Sequence, residues 1–125
     1  DPPTVAAGST VDALVHDHIM RSDDHAFPVF EGERFVGLVT LGDVRSVDRS
    51  EWDARTIGEI MTPAEKLVTV SPRTDVADAL TKLARRDVRQ LPVIENGRLV
   101  GLLRRRDIVK WLQFHSDGGP RLRRR

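Results

Sequence analysis

One pattern of apolar and polar positions occurs twice along this chain. Residues 27–39 read Phe-Pro-Val-Phe-Glu-Gly-Glu-Arg-Phe-Val-Gly-Leu-Val, and residues 91–103 read Leu-Pro-Val-Ile-Glu-Asn-Gly-Arg-Leu-Val-Gly-Leu-Leu. Each copy is an apolar run, a polar break and a second apolar run, which predicts a β-hairpin. Asn96-Gly97 is a strong two-residue hairpin-turn signal, and Glu31-Gly32-Glu33 fills the same place in the first copy. The copies lie 64 positions apart, and each then reaches an Asp followed by an apolar residue, Asp43-Val44 and Asp107-Ile108. A repeat of this size dictates architecture, here two like units with related clefts between them.

Helical spacing fills the intervals. Val11, Leu14, Val15 and Ile19 share one helical face behind Ser9 or Thr10 as cap, and Ser22-Asp23-Asp24-His25 breaks that helix. Thr40 stands at a strand-to-helix turn with Asp43 in the first helical turn. Residues 46–55 read as a linker. Thr56 and Glu59 have capping-box spacing, so a short helix starts there, and Pro63 stops it. Val68-Thr69-Val70 predicts a strand, and Thr74 caps a helix with Val76, Leu80 and Leu83 on one face. A last helix from about Arg105 presents Ile108, Trp111 and Leu112. Trp52 and Trp111 are expected to seal the linker and the last helix against the core. Each unit is thus β-α-β-β-α, an α/β (α+β) fold. The expected division is 1–55, first unit with linker; 56–114, second unit; and 115–125, a disordered basic tail.

Length and charge sharpen this picture. A unit of half the 125 residues is marginal alone, so the repeats are expected to bury apolar faces against each other. The absence of cysteine excludes disulfides and thiolate chemistry and fits a reducing compartment. No run of about 18 apolar residues and no signal-peptide pattern is present. The net charge of +1 conceals an asymmetry: residues 1–62 carry 5 basic and 12 acidic side chains, a net of −7, and residues 63–125 carry 15 and 7, a net of +8. Opposite halves attract within the chain or between copies, over the 8–10 Å or so that salt leaves unscreened.

Taken in order, these residues resemble a tandem pair of CBS domains, a Bateman module. The likeness rests on Pro28-Val29, on Val36-Gly37-Leu38, on the turn from Gly37 through Thr40 to Asp43, and on Ile60-Met61-Thr62-Pro63. It runs from about Thr4 to Leu112. The resemblance implies two pseudo-symmetric units packed sheet to sheet, clefts able to hold an adenosyl ligand such as AMP, ADP or ATP, and frequent homodimers. A weaker likeness, carried by Asp12-Ala13-Leu14-Val15, Ala26-Phe27-Pro28-Val29 and the stretch from Trp52 to Pro63, is to CBS pairs at the cytosolic C-terminus of site-2-type intramembrane zinc metalloproteases. Asp1-Pro2-Pro3-Thr4-Val5 reads as if an upstream Met-Thr-Pro helix had been trimmed off. The implied location is cytoplasmic, as the cytosolic part of a membrane protein.

The chemistry of the turn is consistent with that. A carboxylate accepts hydrogen bonds from both hydroxyls of a ribose, and its charge strengthens them. Asp43 and Asp107 sit where a strand hands over to a helix, with unpaired N–H groups that suit a phosphate, and Thr40 adds a hydroxyl. Equally, each Asp can serve only as a helix cap. Arg104 replaces the expected Ser or Thr of the second turn, where it can fill the cleft, pair with Asp107 or grip phosphates bidentately. By resemblance, adenine meets Val5 and Phe27, Pro28 and Val29 in one unit, and Val70, Leu91, Pro92 and Val93 in the other; all are equally good core residues. His16, His18 and His25 with Asp17 lack the spacing of a metal site, since i, i+2 side chains on a helix diverge. No catalytic constellation and no phosphate loop can be assembled, so the module itself is expected not to be an enzyme. The arginines at 104–106 and 121–125 suit contact with nucleic acid or an anionic membrane surface as well as plain solubilising charge, and the few aromatics make no stacking platform. Two functions remain: a regulatory adenine-nucleotide-binding module acting on an attached effector, and a ligand-free dimerisation module.

Overall fold

The computed structural model describes residues 3–22, 25–85, 90–104 and 106–107. The chain separates into two compact units, residues 1–67 and 68–125. In the first, β1 (Val5–Ala6), α1 (Val11–Asp17), β2 (Ala26–Glu31), β3 (Arg34–Thr40) and α2 (Leu41–Arg45) give the expected β-α-β-β-α order, and α3 (Ile57–Ile60) and β4 (Thr62–Pro63) follow. The sheet runs β1-β2-β3-β4, with β1 parallel to β2 and the other pairs antiparallel. In the second unit, α4 (Val76–Arg85) precedes the antiparallel hairpin β5 (Gln90–Glu95) and β6 (Arg98–Arg104), and residues 106–107 are helical.

The hairpins repeat down to a shared irregularity. In both, the register slips between equivalent residues, Val29/Phe30 and Val93/Ile94, so that Val36 and Val100 stand as the extra residues of matching β-bulges. The turns differ. Asn96 and Gly97 both have positive φ, 53° and 77°, the pattern of a type I′ turn, whereas only Gly32 does in the first hairpin, at 61°.

Each unit has its own core. Val5, Val11, Leu14, Val15, Phe27, Val29, Val39, Val44 and Ile57 form the first; Val70, Val76, Ala79, Leu83 and Leu91 form the second. On α4 the buried positions 76, 79 and 83, with half-buried Leu80, follow helical spacing. Ile19 falls in a 3₁₀ turn, Ile19–Arg21, beyond the end of α1, and still packs on the first core. Thr10 is the residue that caps α1, accepting from the Ala13 N–H at 3.1 Å.

Four expectations change. Residues 46–55 are not a simple linker. The carbonyls of Arg55 and Trp52 accept from the N–H groups of Val11 and Asp12, both at 2.9 Å, and so satisfy amides that α1 leaves open. Trp52 packs on the first core and donates from Nε1 to the Val47 carbonyl at 3.1 Å. Second, residues 56–67, with which the second unit begins in the sequence, make their contacts in the first. Ile57 is in its core, and Gly37↔Pro63 and Leu38↔Thr62 pair β4 to β3. Third, residues 68–70 form no full strand; Val70 makes a single parallel bridge to Val93. Fourth, the Thr74 hydroxyl accepts from the Ser71 N–H at 2.9 Å rather than from α4, and the Asp75 carbonyl takes the first helical bond, from Ala79 N–H at 3.0 Å. Asp1, Pro2, Asp23, Asp24, and the positions at which the rest of the last helix, with Ile108, Trp111 and Leu112, and the basic tail were expected lie outside the described residues.

Gly37 explains why β4 can lie where it does. A Cβ built there would sit 2.5 Å from the Thr62 carbonyl oxygen and 2.6 Å from Met61 Sδ. Only glycine lets the backbone approach so closely.

Candidate functional site

The turn from β3 into α2 holds the residues singled out for ligand chemistry. Thr40 leaves the sheet in extended conformation and becomes the N-cap of α2. Its Oγ1 accepts from the Asp43 N–H at 3.2 Å, and Asp43 Oδ2 accepts from the Thr40 N–H at 2.9 Å. This reciprocal pair is a capping box with Asp in place of the usual Glu or Gln. Both residues are half-buried, and α2 is anchored beneath them by buried Val44. The box fixes the Asp43 carboxylate through one oxygen. Among the described residues no donor is bound to Oδ1, and no cation pairs with Asp43. The carboxylate therefore caps its helix and still has an oriented acceptor to offer.

The equivalent turn of the second unit keeps half of that arrangement. Asp107 Oδ2 accepts from the Arg104 N–H at 3.0 Å, as Asp43 does from Thr40. The reciprocal bond is lost because arginine has no acceptor. Instead Arg104 Nε donates to the same Oδ2 at 3.3 Å, closing an ion pair. Pairing with Asp107, one of the three options open for Arg104, is present in the structure.

The strand positions expected to face adenine lie inward. Val5, Phe27 and Val29 belong to the first core and Val70 and Leu91 to the second, while Pro28 and Pro92 are fully buried outside both clusters. Val93 is half-buried against the second core. The histidines disperse. The His16 ring turns back to the Asp12 carbonyl at 2.9 Å, and the His18 ring packs against Phe27 with centroids 5.8 Å apart. No helix among the described residues is long and apolar enough to cross a membrane.

One polar network was only partly foreseen. Thr56 and Glu59 form a second capping box, with Glu59 Oε1 accepting from the Thr56 N–H at 2.7 Å, and Arg55 approaches the same oxygen at 3.6 Å. The Thr56 backbone bond, ahead of the Thr56 hydroxyl and Arg55, holds the Glu59 carboxyl below its ordinary range, against a smaller opposing effect of desolvation. The capping spacing was visible in the sequence; Arg55 joins only because the preceding turn folds back.

Comparison with known proteins bears on these turns. The CBS domain family profile matches residues 1–50 and 57–113. Inosine-5'-monophosphate dehydrogenase of Staphylococcus haemolyticus is 36% identical over 84 residues, 67% of this chain but 16% of that enzyme. A Synechocystis protein named as a zinc metalloprotease is 25% identical over 114 residues, 89% of this chain and 30% of that protein. The chain thus spans less than a third of the length of these two relatives. Among solved structures, a CBS-domain protein of Burkholderia ambifaria, described as acting in signal transduction, superposes with a TM-score of 0.78 at 26% identity, covering 95% of this chain and 88% of the other. CBSX2 in complex with AMP gives 0.80 at 24% identity, with 94% and 91% covered, a likeness of fold. Two profile matches in tandem, on the repeat read from the sequence, mean that the chain belongs to the CBS domain family, as a regulatory pair rather than a catalyst.

Proposed function

We propose that this CBS pair binds an adenosine-bearing nucleotide (AMP, ADP or ATP) at the Thr40–Asp43 turn and thereby controls an attached effector. The observation that carries this reading is the half-buried Asp43 carboxylate, held through Oδ2 by its capping box while Oδ1 remains an oriented, charged acceptor suited to a ribose hydroxyl. CBSX2, which shares the fold, takes AMP, and the dehydrogenase relatives are enzymes of a purine nucleotide. Strand contacts to the base at Val5, Phe27 and Val29 are assigned to backbone groups, since those side chains are in the first core. The effector is proposed to be a zinc metalloprotease domain of the same chain, with the pair on the cytosolic side, on the strength of the Synechocystis relative. Regulation requires the nucleotide to favour one arrangement of the parent protein over another.

Calorimetry with AMP, ADP and ATP tests the site. Asp43→Asn keeps an oxygen to accept the Thr40 N–H while removing the charge, so the fold persists and affinity falls about tenfold, the difference between a charged and a neutral acceptor. Unchanged affinity contradicts the assignment.

A second reading is favoured by one observation: Asp43 and Asp107 both already have partners within the chain. On that reading the pair is a ligand-free dimerisation module. It expects no thermal shift with any of the three nucleotides at millimolar concentration, together with a dimer in sedimentation.

A further inference from the structure

Trp52 is bonded at both ends. Its indole Nε1–H donates to the Val47 carbonyl at 3.1 Å, and its own carbonyl accepts the Asp12 N–H at 2.9 Å. Val47 follows directly on α2: its N–H donates to the carbonyl of Val44, a core residue next to Asp43, at 3.0 Å. Asp12 lies in the first turn of α1. Between them the 3₁₀ turn Arg49–Glu51 keeps the chain compact, with the Trp52 N–H on the Arg49 carbonyl at 3.2 Å and the Arg49 guanidinium 5.9 Å from the Trp52 ring centre. Beyond Trp52 the Arg55 carbonyl accepts the Val11 N–H at 2.9 Å, and Thr56 forms a β-bridge to Thr10. The N–H groups of Ile57 and Gly58 donate to the Ser9 and Ala7 carbonyls at 2.8 and 2.9 Å. We propose that residues 47–58 are a clasp, pinned at Trp52, that couples the β3–α2 turn to α1 and α3. As the route by which an occupied turn acts on the rest of the first unit, it rests on the reading of that turn as a nucleotide site.

With five residues, α2 is too short to hold its shape by its own hydrogen bonds and depends on what fixes its ends. The Thr40–Asp43 box fixes one end, and the turn through Val47 fixes the other. A nucleotide that engages Asp43 removes freedom from α2, and so from the Val47 carbonyl that holds the indole. Trp52 carries the restriction to α1, since the carbonyl of the same residue holds Asp12. The first N–H groups of a helix have no partner within it, so protection of the Val11 and Asp12 amides measures how firmly the clasp is closed. Coupling of this kind needs no displacement: ordering one end makes opening of the other rarer. The Trp52 ring also packs on the first core. Phenylalanine separates the two roles, because it keeps an apolar ring and lacks the N–H.

The test is amide hydrogen exchange on the whole natural chain and on Trp52→Phe, each without nucleotide and with AMP at millimolar concentration, circular dichroism showing that the variant is folded. Without nucleotide, Val11 and Asp12 are expected to exchange about fivefold faster in Trp52→Phe, the weight of one hydrogen bond, with the amides of the β2–β3 ladder unchanged. Equal rates at 11 and 12 overturn the clasp, and so does equal acceleration in the ladder, which is a general loss of stability. With AMP, protection of Thr40 and Asp43 is expected to bring protection of Val11 and Asp12 in the natural chain and not in the variant. Protection at 40 and 43 without 11 and 12 in the natural chain, or at 11 and 12 in both proteins, overturns the clasp and leaves the first-turn reading standing. Protection at 11 and 12 without 40 and 43 overturns both. No effect of AMP at any of the four overturns the first-turn reading, and the rates without nucleotide then decide the clasp.

Discussion

Substituting alanine at Gly37 and at Gly101, one position at a time, puts the same methyl group into equivalent places of the two hairpins. At Gly37 the new Cβ falls 2.5 Å from the Thr62 carbonyl oxygen and 2.6 Å from Met61 Sδ, well inside contact distance. Met61 can rotate away, but the carbonyl belongs to β4, which is held to β3 only through Gly37↔Pro63 and Leu38↔Thr62. The strand must shift or detach, and overpacking of this kind costs about 1–3 kcal/mol. At Gly101 no described atom lies within 4 Å, and the backbone is not in the left-handed region. There alanine removes the entropic penalty of a strand glycine and stabilises by about 0.5–1 kcal/mol. The two variants should therefore differ by about 1.5–4 kcal/mol, read as urea midpoints at constant m-value and as melting temperatures separated by roughly 5–20 °C. Equal destabilisation by both would refute the claim that β4 is what makes Gly37 the more crowded of the two positions. Tolerance of Gly37→Ala would refute the close approach itself.

Other outcomes follow from the same structure. Phe27→Ala empties a fully buried site in the first core and should cost about 3–5 kcal/mol, and Leu83→Ala in the second core about 2–5 kcal/mol, both measured by denaturant unfolding; losses below 1 kcal/mol would contradict the assigned cores. Removing the hydroxyl in Thr56→Val should cost about 1 kcal/mol through the lost α3 cap, and no loss in thermal unfolding would mean that the box is idle. The Glu59 carboxyl is held below its ordinary range in the folded state, chiefly by the Thr56 backbone N–H, so its contribution is complete above the ordinary carboxylate range and is lost as pH falls through the lowered folded value. Glu59→Gln keeps the acceptor without the titration. Its unfolding midpoint should fall less steeply between pH 5 and about 3 than that of the natural chain, and identical slopes would contradict the assignment.

What the sequence disclosed depended on whether the cause was local. The hairpins were legible because the turn residues at 32 and at 96–97 and the flanking apolar runs act within a dozen positions. The box at Thr56–Glu59 was legible from spacing, since a cap and its partner are three residues apart, while at Thr40–Asp43 the sequence offered only a cap and the reciprocal bond came from the structure. The two-residue strand β4 was not, because it exists only through pairing with distant β3, and β1 was expected only as the first element of the repeat. The segment 46–55 misled for a related reason: its polar composition suggested a linker, while its function is carried by the backbone carbonyls of Trp52 and Arg55. At the site, the sequence identified Arg104 as a departure from the first turn, and the geometry adds its pairing with Asp107, which spacing alone left open.

Amide spectra recorded while AMP is titrated into the natural chain test the account most directly. Thr40 and Asp43, whose N–H groups make the two bonds of the box, should shift and saturate together at the affinity measured by calorimetry, with Arg104 and Asp107 unmoved. Shifts at 104 and 107 with silence at 40 and 43 would contradict it.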